Sequence, residues 1–61
     1  MKQIFTFGSG QKHEGCYIVI FGKTKAKCRQ RMFRRFGSEW AFQYDSEEEA
    51  GVEKYNLERI L

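Results

Sequence analysis

The sequence predicts a small α+β domain, a two-layer β-β-α-β fold with an antiparallel sheet, one main helix and a weaker helix and strand at the end of the chain. Two observations support this fold class. Residues 24–36 are amphipathic with the period of a helix. The runs before and after them have the composition of strands, rich in aromatic and β-branched residues. The 61 residues correspond to a single domain, residues 1–61.

The first half of the chain predicts two strands joined by a polar loop. In residues 2–7, Phe5 and Phe7 fall on one face and Ile4 on the other. The glycine-rich segment 8–15 then indicates a hairpin connection. Residues 16–21, CYIVIF, are apolar on both faces, which is typical of a central strand that is covered on each side.

The helix predicted over residues 24–36 has two chemically distinct faces. At about 100° per residue, one face is apolar and the opposite face is basic. Gly37 is predicted to end the helix, because glycine adopts positive φ without a Cβ clash. The apolar face consists of Cys28, Met32, Phe33 and Phe36, and the basic face of Lys23, Lys27, Arg31 and Arg34.

The chain after Gly37 predicts one aromatic strand and a short tail. Trp40, Phe42 and Tyr44 alternate with other residues, as in a strand with a single aromatic face. Asp45 is predicted to cap a short helix over residues 47–54, with Glu48 completing a capping box. Residues 57–61 are predicted to form a last strand that pairs with a sheet edge.

One helix can cover only one face of the predicted sheet, so its second face needs another cover. The tail, a second copy of the chain or a partner could supply it, and a symmetric homodimer is one hypothesis, because it uses the same patch twice. An uncovered apolar face would cost about 25 cal/mol per Å² left exposed.

The charge is distributed unevenly along the chain. The net charge is +3, and all seven charged residues between positions 23 and 35 are basic, whereas seven of the eight acids lie at position 39 or later. The basic face repeats at i, i+4, i+8 and i+11, a row about 16 Å long at 1.5 Å per residue. Such a row suits a polyanion. The predicted contacts to a nucleic acid or an acidic partner protein are Lys23, Lys27, Arg31, Arg34 and Arg35.

The sequence contains no recognisable catalytic or cofactor motif. Gly15 and Gly22 enclose six residues, not the four that a phosphate-binding P-loop needs. His13, Cys16 and Cys28 are too few for a structural zinc site, which takes four ligands. We therefore predict no enzyme activity, metal or cofactor. The absence of a signal peptide and of a long apolar segment predicts a cytoplasmic protein with reduced cysteines and no membrane contact.

Two segments resemble a known group of proteins. FTFGSG, at residues 5–10, and MFRRFGSEWAFQY, at residues 32–44 and followed by an acidic turn, are similar to small, mostly uncharacterised proteins of bacteriophages and prophages. The resemblance spans most of the chain but transfers no functional residue. It implies an accessory protein acting in a bacterial host cytoplasm, for example against a defence system such as a CRISPR nuclease.

Two binding modes remain open from the sequence. In the first, the basic helix face contacts phosphates while Tyr17, Phe21 or Ile4 on an uncovered sheet face offers a surface on which bases could stack. In the alternative, the protein inhibits a host protein by direct contact through the glycine-rich loop and the sheet face. The residues predicted to carry that contact are Ser9, Gln11, Lys12, His13, Tyr17 and Phe21.

Overall fold

The computed structural model describes residues 1–61 and confirms the predicted α+β class. Its elements are β1 (Lys2–Thr6), β2 (Cys16–Phe21), α1 (Lys25–Phe36), β3 (Phe42–Tyr44), α2 (Glu47–Ala50) and β4 (Glu58–Arg59). The strands form one sheet in the order β3-β1-β2-β4. β1 is antiparallel to both β2 and β3, whereas β4 runs parallel to β2. The sheet is therefore mixed and not antiparallel throughout as predicted, because the last strand runs along the edge of β2 in the same direction.

The main core lies between α1 and one face of the sheet. Cys28 and Met32 point from α1 into this core and are fully buried, as predicted. Phe36 packs at its margin. Phe33, predicted for the same apolar face, is 47% exposed. The remaining buried members of the core come from the sheet and from the segment before β3: Phe5, Phe7, Ile18, Ile20 and Trp40.

Both ends of α1 are capped by the residues that flank it. The Thr24 side chain accepts a hydrogen bond from the Lys27 N–H at 3.1 Å, which satisfies one of the free amides of the first turn. Gly37 ends the helix with φ 60° and ψ −126°, and its N–H donates to the Phe33 carbonyl. Non-glycine residues rarely adopt this backbone geometry, so the predicted stop at Gly37 is confirmed.

The prediction that Trp40, Phe42 and Tyr44 share one face is wrong. β3 begins only at Phe42, and Trp40 lies before it in irregular backbone. The Trp40 ring packs edge-to-face on Phe5 in the main core, with a centroid distance of 5.2 Å. Gln43 is paired with Phe5 and shares that side of the sheet, so Phe42 and Tyr44 lie on the other side. The alternating sequence does not show where the strand starts.

The tail covers the part of the second sheet face around Ile4, whereas Phe21 and Phe42 on the same face stay exposed. Ile4 points away from the main core, yet it is fully buried. α2 contacts β1 and β3, and its Ala50 is buried. An ion pair of 2.9 Å between Lys2 and Glu47 ties α2 to β1. A second copy of the chain is therefore not needed to cover Ile4, because the chain itself covers it.

α2 differs in two ways from its prediction. Its N-cap is Ser46, not Asp45, and the Ser46 hydroxyl accepts from the Glu49 N–H at 3.1 Å. Glu49 accepts a hydrogen bond of 3.4 Å from the N–H of Asp45, the residue before the N-cap, so only the serine half of a capping box is formed. The helix also ends at Ala50 instead of residue 54, because Gly51 takes the left-handed conformation with φ 76°. Neither helix is both long enough and apolar enough to cross a membrane.

Candidate functional site

The cationic face, which we define as Lys23, Lys27, Arg31 and Arg34, is assembled by α1 and the turn before it. All four residues are exposed, and together with Gln30 they line one shallow groove. Lys27 and Arg34 are seven residues apart, so they deviate by only about 20° from a straight row along the helix. Burial of Cys28 and Met32 on the sheet fixes the rotation of α1 and turns this row outward.

No acidic side chain neutralises the cationic face. The chain contains two ion pairs, Lys2 with Glu47 and Lys25 with Asp45 at 3.0 Å, and neither includes a member of this face. Exposed cations of like sign repel one another modestly in water, and an anionic ligand relieves that repulsion. Four positive charges are therefore free to contact a ligand.

The acids are used elsewhere in the fold. Hydrogen bonds from the side chains of Gln3 and Lys25 lower the pKa of Asp45 below its ordinary value. A hydrogen bond from Lys2 and the backbone N–H of Glu47 lower the pKa of Glu47 in the same way. Both carboxylates stay ionised at neutral pH and join the tail to β1 and α1.

Arg31 also has a structural contact. Its Nη1 donates a hydrogen bond of 2.8 Å to the Phe21 carbonyl at the end of β2. This bond holds the guanidinium group at the β2 side of α1. Arg35, one turn further along, lines a second groove together with Arg31. Arg35 therefore lies beside the cationic face but projects toward the sheet edge, whereas Arg34 projects outward.

Arg29 serves a different purpose from the other arginines. Its guanidinium carbon lies 5.0 Å from the Trp40 ring centroid and 5.5 Å from that of Phe33. Such cation–π contacts stabilise the side chain position on the β3 side of the helix. This cluster was not predicted from the sequence, although the i, i+4 spacing of Arg29 and Phe33 is a signal for it. Arg29 is therefore directed away from the cationic face.

The residues of the predicted protein-contact surface are not brought together. The loop is folded on itself, with the Gly8 N–H donating to the Gln11 side chain. His13 packs between Phe7 and Phe36, at centroid distances of 5.2 and 5.5 Å, and belongs to the margin of the core. Ser9 and Lys12 are exposed in the loop. Tyr17 lies beside the α2 segment, on the sheet face opposite α1. Phe21 lies at the edge of that face and is 60% exposed.

The predicted stacking surface for bases is also incomplete. Ile4, one of its suggested members, is buried under α2 and cannot contact a ligand. No large aromatic residue lines the groove of the cationic face. The groove can therefore contact phosphates, but it offers no aromatic platform to bases.

The residues considered for metal or phosphate chemistry have packing roles. The structure contains no group of three or more histidine, cysteine or acidic side chains that could hold a metal ion. Cys28 is buried, with its Sγ 3.8 Å from the Ile20 carbonyl. A Cβ at Gly22 would lie 2.9 Å from that Sγ, so this glycine allows β2 and the start of α1 to approach closely.

Comparisons of the chain with protein-family models, with curated proteins and with solved structures found no match.

Proposed function

We propose that this chain is a non-enzymatic binding protein whose cationic face holds a nucleic acid by its phosphate backbone. The observation that carries the proposal is the row Lys23, Lys27, Arg31 and Arg34, exposed on one face and without an acidic partner. The resemblance to small phage proteins supports a setting in a bacterial cytoplasm, as an accessory factor acting on host or phage nucleic acid or on a nucleoprotein.

The length of the row supports a nucleic acid over a single acidic patch on a protein. Lys23 lies in the turn before α1, so the helical part of the row runs from Lys27 to Arg34 and extends over about 10 Å at 1.5 Å per residue. Phosphates on one strand of a duplex follow one another every 3.4 Å along the axis, so this part of the row runs beside roughly three of them. A regular row of cations matches this repeating array of negative charge.

The contacts available on this face recognise the backbone and not the bases. Lysine and arginine neutralise phosphates, and no aromatic residue lines the groove of this face. We therefore expect binding that depends little on sequence and strongly on salt. Neutralising three or four phosphates gives a slope of roughly −3 to −4 when log K is plotted against log salt concentration.

The proposal is tested by measuring the affinity for a labelled 20-base-pair DNA duplex by fluorescence anisotropy, at salt concentrations from about 20 mM to about 200 mM. A single strand and an RNA duplex of the same length form parallel arms. The test variant is the double substitution Lys27→Glu with Arg34→Glu, which reverses two charges at the centre and end of the row. We expect it to abolish measurable binding at the lowest salt.

The matched control is the double substitution Lys12→Glu with Lys54→Glu. It changes the net charge by the same amount at two exposed positions outside the cationic face. We expect this variant to retain most of its affinity. Equal losses in the two variants would mean that net charge, and not the face, causes binding. If the wild type binds none of the three nucleic acids at the lowest salt, the proposal is refuted.

A further inference from the structure

β3 is an edge strand whose backbone is paired on one side. In the sheet order β3-β1-β2-β4, it pairs with β1 alone. The Thr6 carbonyl accepts the Ala41 N–H at 2.9 Å, so the backbone of Thr6 faces β3, and its partner Phe42 bonds back toward β1. By the alternation of a strand, the N–H and carbonyl of Gln43 point away from β1. These two groups can pair with a further strand.

Aromatic surface is exposed at this edge, on the sheet face opposite α1. Phe42 is 59% exposed, and the partly buried Tyr44 lies beside it with a ring centroid distance of 6.3 Å. Apolar area left in water is unfavourable by about 25 cal/mol per Å². A strand added beside β3 would cover both rings.

The α1 side of the same edge carries exposed charges of both signs. Its four charged residues line one groove: Lys25, Arg29, Asp45 and Glu49. Two are cations and two are anions, so this groove has no net charge, in contrast to the cationic face. A surface with equal numbers of both signs can be complementary to a copy of itself.

We propose that the β3 edge binds a second copy of this chain, with the two β3 strands antiparallel about a two-fold axis at Gln43. The N–H and carbonyl of Gln43 would bond to the same two groups of the second copy. Phe42 would lie opposite Tyr44 of the second copy, and the symmetry forms this aromatic pair twice. In this register the two rings occupy a non-hydrogen-bonded position, where cross-strand side chains are closest.

The charges fit the same arrangement. With Gln43 on the axis, Asp45 lies opposite Ala41 of the second copy. Ala41 and Arg29 border one groove, and the Arg29 Nη1 lies 3.5 Å from the Gln43 Oε1. The carboxylate of each copy therefore comes close to a guanidinium group of the other. The carboxylates of Asp45 and Glu49 would repel a polyanion at this edge, so they favour a second copy over a nucleic acid.

Pairing at β3 would place the cationic faces of both copies on one side of the dimer. The two-fold axis of an antiparallel strand pair is perpendicular to the sheet, so both α1 helices lie on the same face. α1 contacts β1 and β2, which puts the two helices about 19 Å apart at 4.8 Å per strand. Two cationic faces on one particle raise the avidity for a long polyanion. The dimer itself requires only β3 and its surroundings, and it does not depend on the nucleic-acid proposal.

Sedimentation equilibrium of the wild-type chain without nucleic acid, from about 10 µM to about 1 mM, measures the association. We expect a reversible dimer with a dissociation constant below about 1 mM. Isotope-filtered NMR of a mixture of ¹³C-labelled and unlabelled chains identifies the contact. We expect signals between the Phe42 ring of one copy and the Tyr44 ring of the other.

Two phenylalanines of the same sheet face provide matched variants. Phe42 is 59% exposed and lies on β3, whereas Phe21 is 60% exposed and lies on β2. We expect Phe42→Ala to weaken the dimer at least about fivefold, because both aromatic pairs are lost, and Phe21→Ala to weaken it less than about twofold. Neither substitution changes a charge. Far-UV circular dichroism checks that both variants fold.

Methylation of one backbone nitrogen tests the strand pairing directly. A chain of 61 residues is accessible to chemical synthesis, and an N-methyl group at Gln43 removes the outward N–H while keeping every side chain. We expect this chain to dimerise at least about tenfold more weakly, because both hydrogen bonds across the axis require that N–H. Its charges are unchanged, so a weaker affinity for the DNA duplex would report the loss of the second cationic face.

Several outcomes would overturn the inference. A chain that stays monomeric up to about 1 mM does not associate at β3. Equal weakening by the two alanine variants would assign the dimer to the sheet face as a whole. A dimer that persists undiminished after methylation at Gln43 would not involve strand pairing, and a dimer without contacts between Phe42 and Tyr44 would place the second copy elsewhere. Each of these results would leave the cationic face untouched, because the association is measured without nucleic acid.

Discussion

Substitution of Met32 by alanine tests the orientation of α1, on which the cationic face depends. Met32 is fully buried in the main core, and its truncation leaves a cavity between α1 and the sheet. Methionine-to-alanine changes in cores cost about 2 to 5 kcal/mol. A chain of 61 residues has a total stability of roughly 3 to 9 kcal/mol at 0.05 to 0.15 kcal/mol per residue. The substitution should therefore remove a large part of the free energy of unfolding.

Thermal unfolding followed by circular dichroism measures this effect. At about 4 to 8 °C per kcal/mol for a domain of this size, the midpoint should fall by at least about 8 °C. Phe33→Ala is the control, because Phe33 is the next residue and has a larger side chain, but it is 47% exposed. Its edge-to-face contact with Trp40 is worth about 0.5 to 1.5 kcal/mol, so the loss should be smaller. If Phe33→Ala is the more destabilising change, or Met32→Ala leaves the midpoint unaltered, the assigned faces of α1 are wrong.

Two further predictions concern a glycine and a carboxylate. Gly22→Ala should lower the free energy of unfolding, measured by urea titration, by about 1 to 3 kcal/mol, because the new Cβ would lie 2.9 Å from the Cys28 Sγ. In the control Gly8→Ala, the new Cβ would have no contact below 3.4 Å, so the free energy of unfolding should fall much less. Equal costs would argue against close packing at Gly22. Asp45→Asn removes a carboxylate whose pKa is lowered in the folded state by its side-chain hydrogen bonds and by the charge of Lys25. The ionised Asp45 carboxylate stabilises the folded state above the ordinary pKa of about 3.9, and this stabilisation is lost as the pH falls through the lowered pKa of the folded state. The wild type should therefore have the higher urea midpoint at about pH 6, and the midpoints of the wild type and the variant should converge near about pH 2. A difference that persists unchanged in acid would contradict this role.

Local patterns in the sequence predicted most of the elements. β2 was predicted with its observed bounds, and α1 with its stop at Gly37, because the spacing of apolar residues and the need for positive φ are properties of a few neighbouring residues. The cationic face follows from the same helical period. The burial of Cys28 and Met32 fixes which side of the helix is outward, and so the row of four cations could be derived before the fold was known.

Long-range packing decided what the local patterns left open. Trp40 lies on the core side because the chain enters β3 only at Phe42, and α2 stops at Gly51 although the residues beyond it are compatible with a helix. The sequence could not show that α2 covers Ile4, since Ile4 and Ala50 are 46 positions apart in the chain.

Long-range packing also decided the different positions of the arginines on α1. By sequence, Arg34 lies on the basic face of the helix, and Arg35 is predicted to contact the same partner. In the folded chain, Arg29 packs on aromatic rings, Arg34 belongs to the cationic face and Arg35 lines the edge of β2. The sequence thus determined that this protein has a positively charged helix. The tertiary structure decided which of its cations are free, because that depends on the strands and side chains packed on either side of the helix.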